Sequence, residues 1–548
     1  MEDKGPFNRI LQSEPLKDRD RAAVAIVVLG IVLGLVLLIL VLPPVSIFSN
    51  EDSGEPTGPV SGQILDDMPA PPAGFEAVSP LIELNSADPV GPNVHPRLTV
   101  NLSVSVGDNE LVVLYTYDGD SWRRLGEAVP LADGNAVQAE VTVLPANVAA
   151  FRAVEQTRTI LGTLPDGSSL DPNALAGLTT LNIQGLRPGA DGSLIGSVPA
   201  NDLGVPVAPT ILAASSADAQ TVNSILASPE LRAVHVQALL DLATNGSYAG
   251  IDLDYRTIDA GNEEAFTSFL QSLASGLRRE GRTLTLTLPL PIRDGGGWNT
   301  QNVDWEAIAP LVTAIKLPPV VEQDRYFIEM EEALGFLTSR VASSKLLLTI
   351  DPYSHERGVD GLQSYTLIEA LGVASTPVTR PSGSIATGET LVALGLNLSG
   401  DTGASGLIWD DTARAVTFSY TGPGGARVVW LANAFSEAFK LDLARRFQLG
   451  GVSVRDASQA SADAGIWPAL LEYAETGTVT LVKPNGALLT PRWEVSGGAL
   501  ESTAGPVVTW RAPDEPGTYV LTLIVSDGLT HVGQELSVPV QPRLAVAP

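Results

Sequence analysis

Apolar residues along this chain fall into distinct patterns, and each pattern predicts a different kind of element. From Ala22 to Leu42 no side chain is charged or strongly polar, and the run has the length of a helix that crosses a bilayer. From Arg97 to about Phe151, LTVNLSVSV, ELVVLYTYD, SWRRLGEAV and AVQAEVTVL alternate apolar and polar residues between GDN, DGD and ADG turns. Period two with such turns predicts antiparallel strands, a small β-sandwich domain over 97–152.

Between residues 155 and 473 the pattern changes to short apolar runs followed by amphipathic or polar sequence. The runs are LTTLNIQGL, PTILAASS, AGIDLDYR, LTLTLPL, VTAIKLP, KLLLTIDPY and GGVSVRD. A repeated strand-then-helix order of this length predicts a parallel sheet, and the count favours a closed (β/α)8 TIM barrel over an open doubly wound sheet. A small β-rich insertion is expected at about 380–430, where PSGSIATGETLVALGLNLSGD and GLIWDDTARAVTFSYTGPGGARVVW break the alternation. The last segment, 476–541, returns to short strands spaced by Gly and Asp turns. It predicts a C-terminal immunoglobulin-like β-sandwich, and its T-W-x-A-P and P-G-T-Y-x-L-T-L-x-V-S-D-G stretches resemble bacterial immunoglobulin-like and PKD-type modules of surface proteins.

Charge orients the N-terminal run. Lys4, Arg9, Lys17, Arg19 and Arg21 precede it and Glu51, Asp52 and Glu55 follow, so the positive-inside rule places residues 1–21 in the cytoplasm and the rest outside. Leu and Val persist up to Pro43-Pro44 with no small-residue cleavage pattern, which favours an anchor at 22–42 over a removable signal. Residues 43–96, rich in Pro, Gly, Ser and acid, read as a linker off the membrane. The expected product is a single-pass protein, its bulk extracytoplasmic, at a bacterial cell surface.

Composition removes several function classes. With 548 residues, more than one core is needed. The absence of Cys excludes disulfides, thiolate metal sites and a cysteine nucleophile. A net charge of −29 without a basic run argues against a nucleic-acid partner. His95, His235, His355 and His531 show no ligand spacing, so neither a metal nor another cofactor is expected.

The most informative stretch is Ala249-Gly-Ile-Asp-Leu-Asp-Tyr-Arg256. Strand periodicity sends Asp252, Asp254 and Arg256 to one face, the barrel interior and its C-terminal mouth. The stretch resembles the D-G-h-D-h-D-h-E signature strand of glycoside hydrolase family 18 (h, apolar), the chitinases and spore-wall lytic enzymes. ILASPELRAVHVQALLDLATNGSYAGIDLDYRTI with the following NEEAFTSFLQSLASGLRREGRTLTLTLPLP is similar to that family's peptidoglycan-active branch, and the resemblance extends over 155–473.

The resemblance implies substrate-assisted hydrolysis, in which the signature's Glu protonates the glycosidic oxygen and the sugar's N-acetyl oxygen attacks the anomeric carbon, a departure from the two-carboxylate scheme. Carried over residue by residue, the last two signature aspartates fall on Asp252 and Asp254. The first falls on Ala249, and the acid falls on Arg256, which does not release a proton at working pH. The family's M-x-Y-D segment is replaced in Ala314-Ile-Lys-Leu-Pro-Pro-Val320, and Arg455 stands where the family has a tryptophan floor. No residue is therefore assigned as catalytic.

Three readings of this cluster stand side by side. Asp252 and Asp254 pair with Arg256 or Arg455 in a structural salt-bridge core. Alternatively, Asp252, Asp254, Arg256 and Arg455 line a pocket for an anionic glycan or a peptidoglycan carboxylate, with Trp298 of Asp294-Gly-Gly-Gly-Trp298 stacking on a sugar ring. In the third, an atypical acid, Asp254, Asp259 or Glu263, cleaves β-1,4-linked N-acetylglucosamine polymers. The function expected is a catalytically inactive, membrane-anchored protein whose partner is a cell-wall or surface glycan. An active glycosidase and an envelope scaffold without sugar binding are the alternatives, and the sequence points to no particular protein partner.

Overall fold

The computed structural model describes residues 61–543 other than 66, 73, 86–95, 108–109, 155–156, 171–176, 200–202, 401–403 and 460–464. The span at 22–42 lies outside the described residues, and among those described no helix is long and apolar enough to cross a membrane.

Eight short strands form the central element: β1 (Thr159–Leu164), β2 (Thr180–Pro188), β3 (Val207–Leu212), β4 (Gly250–Asp254), β5 (Thr283–Thr287), β6 (Ala314–Leu317), β7 (Leu346–Ile350) and β8 (Gly451–Val454). Each pairs in parallel with the next, and β8 pairs with β1, so the sheet closes. Seven of these strands lie in the runs read from the sequence; β1 is the eighth. The seam between β8 and β1 depends on Gly451, whose φ is 143° and whose absent side chain would collide with the Thr159 carbonyl.

Helices cover the outside of the barrel: α1 (Ser216–Ala227), α2 (Pro229–Asn245), α3 (Glu263–Arg279) and α4 (Tyr326–Thr338). In α3, Phe266, Phe269, Leu270, Leu273, Ala274 and Leu277 recur at helical spacing and are all buried. Glu263 and Glu264 in its first turn and Arg278 and Arg279 in its last complement the helix dipole. After β2 comes a short antiparallel strand, Leu194–Gly196, instead of a helix.

The N-terminal β domain begins earlier than the alternation suggested. Strands Ser61–Ile64, Phe75–Ala77 and Ile82–Asn85, inside the stretch read as linker, join Arg97–Asn101, Val112–Tyr117, Trp122–Pro130, Ala136–Glu140 and Asn147–Ala153. The linker reading is corrected for 61–85. Composition concealed three anchors, Phe75, Val78 and Leu81, all buried, and such sparse anchoring suffices when a neighbouring strand offers unpaired backbone groups. The domain packs on the barrel through Arg124, whose guanidinium lies 4.9 Å from the Phe447 ring centroid.

The insertion between β7 and β8 starts at Ser354, well before the expected 380. It holds an antiparallel sheet in the order Gly361–Tyr365, Ser354–Gly358, Gly425–Trp430, Ala415–Gly422, Ile408–Asp410, and helix α5 (Leu367–Ala374). Helices α6 (Ala434–Arg446) and α7 (Ile466–Thr476) then flank β8.

The C-terminal segment does not build its sandwich alone, which corrects the expectation of a self-contained immunoglobulin-like unit at 476–541. One sheet runs Pro377–Arg380, Thr390–Gly395, Val507–Arg511, Ala499–Leu500, and the other Ile385–Ala386, His531–Gln541, Gly517–Ser526, Arg492–Val495. Three of the eight strands come from the insertion. Trp493 and Trp510 are fully buried in an apolar cluster shared with Leu391 and Ala393 of the insertion. Pairings across more than 100 residues leave no local signature. The C-terminal segment is also tied to the barrel's outer helices, because the buried Asn433, which caps α6, donates to Asp527 at 2.7 Å.

Candidate active site at the barrel mouth

Strand β4 alternates its side chains between two environments. Ile251 and Leu253 join the apolar layer under the helices, while Asp252 and Asp254 occupy the intervening positions. The register sets Asp252 beside Thr210 of β3 and Thr285 of β5. Both hydroxyls donate to its carboxylate, at 2.8 and 2.7 Å, and Lys316 Nζ of β6 adds a third bond at 2.7 Å. Asp252 is fully buried and its charge is matched within the barrel, as a buried carboxylate requires.

Asp254, one layer nearer the mouth, receives a bidentate bond from Arg256, with Nε to Oδ1 and Nη2 to Oδ2 both at 2.6 Å. Burial opposes the charge on Arg256, but the Asp254 hydrogen bonds and the nearby carboxylates outweigh it and hold the guanidinium above its ordinary range. The residue that aligns with the terminal glutamate of the resembled signature is thus a firmly protonated cation.

A third pair lies at the mouth. Arg455, just past β8, donates Nη1 to Asp351 Oδ2 at 2.6 Å, and His355 Nε2 lies 3.4 Å from the same oxygen. Burial pushes the Asp351 carboxyl up, yet the His355 hydrogen bond and the Arg455 charge together hold it below the usual carboxylate range.

Of the pairings expected from sequence, Asp254 with Arg256 is present. Asp252 takes Lys316 and Arg455 takes Asp351 instead. Lys316, Asp351, Thr210 and Thr285 were missed. Lys316 carried a signal, a single cation inside the apolar strand AIKL. Asp351 carried one too, since it sits at the C-terminal end of a barrel strand as Asp254 does.

Above these pairs lies a cavity of about 130 Å³, whose lining includes Asp254, Arg256, Lys316 and Arg455. Ordinary ligand pockets measure about 300–1,000 Å³, so this one is small. Trp298 does not line it: it sits on the hairpin of Ile292–Asp294 and Gly297–Asn299, where its indole stacks on Phe336 of α4 at 4.6 Å. Asp259 and Glu263, the other acids considered, are exposed and outside the cavity lining. His235 is buried with Tyr255 on the outward side of β4, and among the described residues no cluster of His, Asp and Glu could hold a metal.

No protein-family model matches the chain. The Bacillus subtilis protein YdhD, named provisionally as a sporulation-specific glycosylase, is 23% identical over 159 residues, which are 27% of this chain and 37% of YdhD. The matching region therefore spans just over a third of that relative. Among solved structures, a chitinase from Chromobacterium violaceum is 19% identical with a TM-score of 0.46, covering 58% of this chain and 99% of that one. The spore cortex-lytic enzyme SleL of Bacillus megaterium is 17% identical with a TM-score of 0.46, covering 63% and 79%. The signature strand within a closed eight-stranded parallel barrel resembles glycoside hydrolase family 18, with Arg256 at the position of that signature's terminal glutamate.

Proposed function

We infer that this chain is a membrane-anchored, extracytoplasmic glycoside hydrolase-like protein that binds a chitin- or peptidoglycan-type glycan without cleaving it. The observation that carries the reading is the bidentate Asp254–Arg256 pair: it replaces the proton donor by a cation and holds the adjacent carboxylate in an ion pair. The names of the similar proteins, a chitinase, a spore cortex-lytic enzyme and a sporulation glycosylase, support a glycan as the partner. The apolar run at 22–42 and its flanking charges support the anchor and its orientation.

One observation favours a second reading. The small cavity at the mouth suits a structural envelope scaffold that binds no sugar. Full-length protein in detergent, titrated with chito-oligosaccharides and peptidoglycan fragments while product release is followed, separates the cases. Binding heat without new products is expected, absence of heat selects the scaffold, and product release overturns the proposal. Alkaline extraction of membranes tests the anchor: the full chain should stay with the membrane, and a chain lacking residues 1–43 should be released.

A further inference from the structure

We propose that the cavity at the barrel mouth is a seat for a carboxylate carried on a sugar, held by Arg256 and Arg455; the proposal rests on the glycan-binding reading above and specifies its ligand. Three cations, Lys316, Arg256 and Arg455, line the cavity, against one carboxylate, Asp254. Asp252 and Asp351, which balance Lys316 and Arg455, are buried outside that lining.

The arginines are bonded but not saturated. A guanidinium has five N–H donors. Arg256 gives Nε and Nη2 to Asp254, and Arg455 gives Nη1 to Asp351; among the described residues Nη1 of Arg256 and Nη2 of Arg455 have no hydrogen-bond partner. Both side chains are half exposed, so these groups reach solvent at the mouth. Thr287, Thr349 and Ser453 add hydroxyls to the same wall. Hydroxyls and guanidinium edges around one small space match the lone pairs of a planar anion.

With about 130 Å³ open and roughly 10–15 Å³ needed per water, the cavity holds on the order of ten waters, room for a carboxylate together with part of the sugar that carries it. The chain's net charge of −29 disfavours diffuse capture of anions, so binding of an acidic sugar would report this local arrangement.

The probes are N-acetylmuramic acid and N-acetylglucosamine, which differ by the 3-O-lactyl group that carries the carboxylate, titrated calorimetrically into the full chain in detergent. The acid sugar should bind at least 10-fold more tightly than the neutral one. Its methyl ester should bind no better than the neutral sugar. Arg455→Gln should remove the preference and Arg455→Lys should restore part of it, with near-UV circular dichroism showing that each variant is folded. The ester serves as the charge control on unmodified protein should a variant fail to fold. Equal binding of the two sugars, or undiminished binding of the ester, overturns the carboxylate seat and leaves glycan binding standing. Lactate binding as tightly as the acid sugar overturns the sugar part. If neither sugar binds and chito-oligosaccharides do not bind either, this proposal and the one beneath it both fall.

Discussion

The buried Lys316–Asp252 pair gives the sharpest stability test, because its two partners respond differently to single and double replacement. Both side chains are almost wholly inaccessible and Nζ lies 2.7 Å from Oδ2. Lys316→Met keeps the volume of the side chain but leaves Asp252 with only the Thr210 and Thr285 hydroxyls. Removing one partner of a buried pair costs about 3–5 kcal/mol, whereas replacing both with apolar groups is often neutral. At about 2–3 °C per kcal/mol for a domain of this size, the single variant should lower the melting temperature by roughly 6–15 °C. Lys316→Met with Asp252→Leu should recover most of that, the remainder reflecting the two stranded Thr hydroxyls. Thermal and urea denaturation of both variants provide the measurement, repeated in 1 M salt, which should leave the difference unchanged because a buried pair is little screened. A loss below 1 kcal/mol for Lys316→Met, or one that vanishes in high salt, would refute the reasoning.

Other expectations follow from the same contacts. Deleting residues 492–548 strips Thr390–Gly395 of its partner Val507–Arg511, so limited proteolysis should cut first within 377–395, while a detachable module would leave that segment protected. Asn433→Ala removes the cap of α6 and one partner of the buried Asp527; about 1 kcal/mol for the cap and 1–3 for the lost carboxylate bond should show in urea denaturation. His235 is buried and its pKa is lowered by desolvation, so it folds neutral. Its contribution is present above the unfolded value of about 6.5 and is lost as pH falls below it. His235→Gln, able to keep a bond to Tyr255, should therefore show a smaller loss of stability from pH 7.5 to pH 5 than the unmodified protein.

What was legible in the sequence, and what was not, divides along physical lines. Seven of the barrel strands, the alternation at 97–152 and the inward face of Asp252 and Asp254 came from periodicity, which is a local property. The partners of those carboxylates were set by register between strands: Lys316 lies 64 residues after Asp252, and Asp351 lies 104 before Arg455. The strands at 61–85 were hidden because a few apolar anchors sat in a Pro-rich background. The composite sandwich was hidden because its edges pair across the insertion. Trp298 was placed on sugar by residue type, whereas one face of its indole stacks on Phe336 and the residue lies outside the cavity lining.

The proposed loss of catalysis turns on Arg256, clamped to Asp254 where the resembled signature carries its proton donor. The direct measurement is product release from chitotetraose and from peptidoglycan fragments by the full chain, by Arg256→Ala and by Arg256→Glu. All three should stay at background, the last because the M-x-Y-D segment of the resembled family is also missing and a new carboxylate would crowd Asp254. Cleavage by the unmodified chain that survives Arg256→Ala would contradict the proposal and require an acid elsewhere at the mouth.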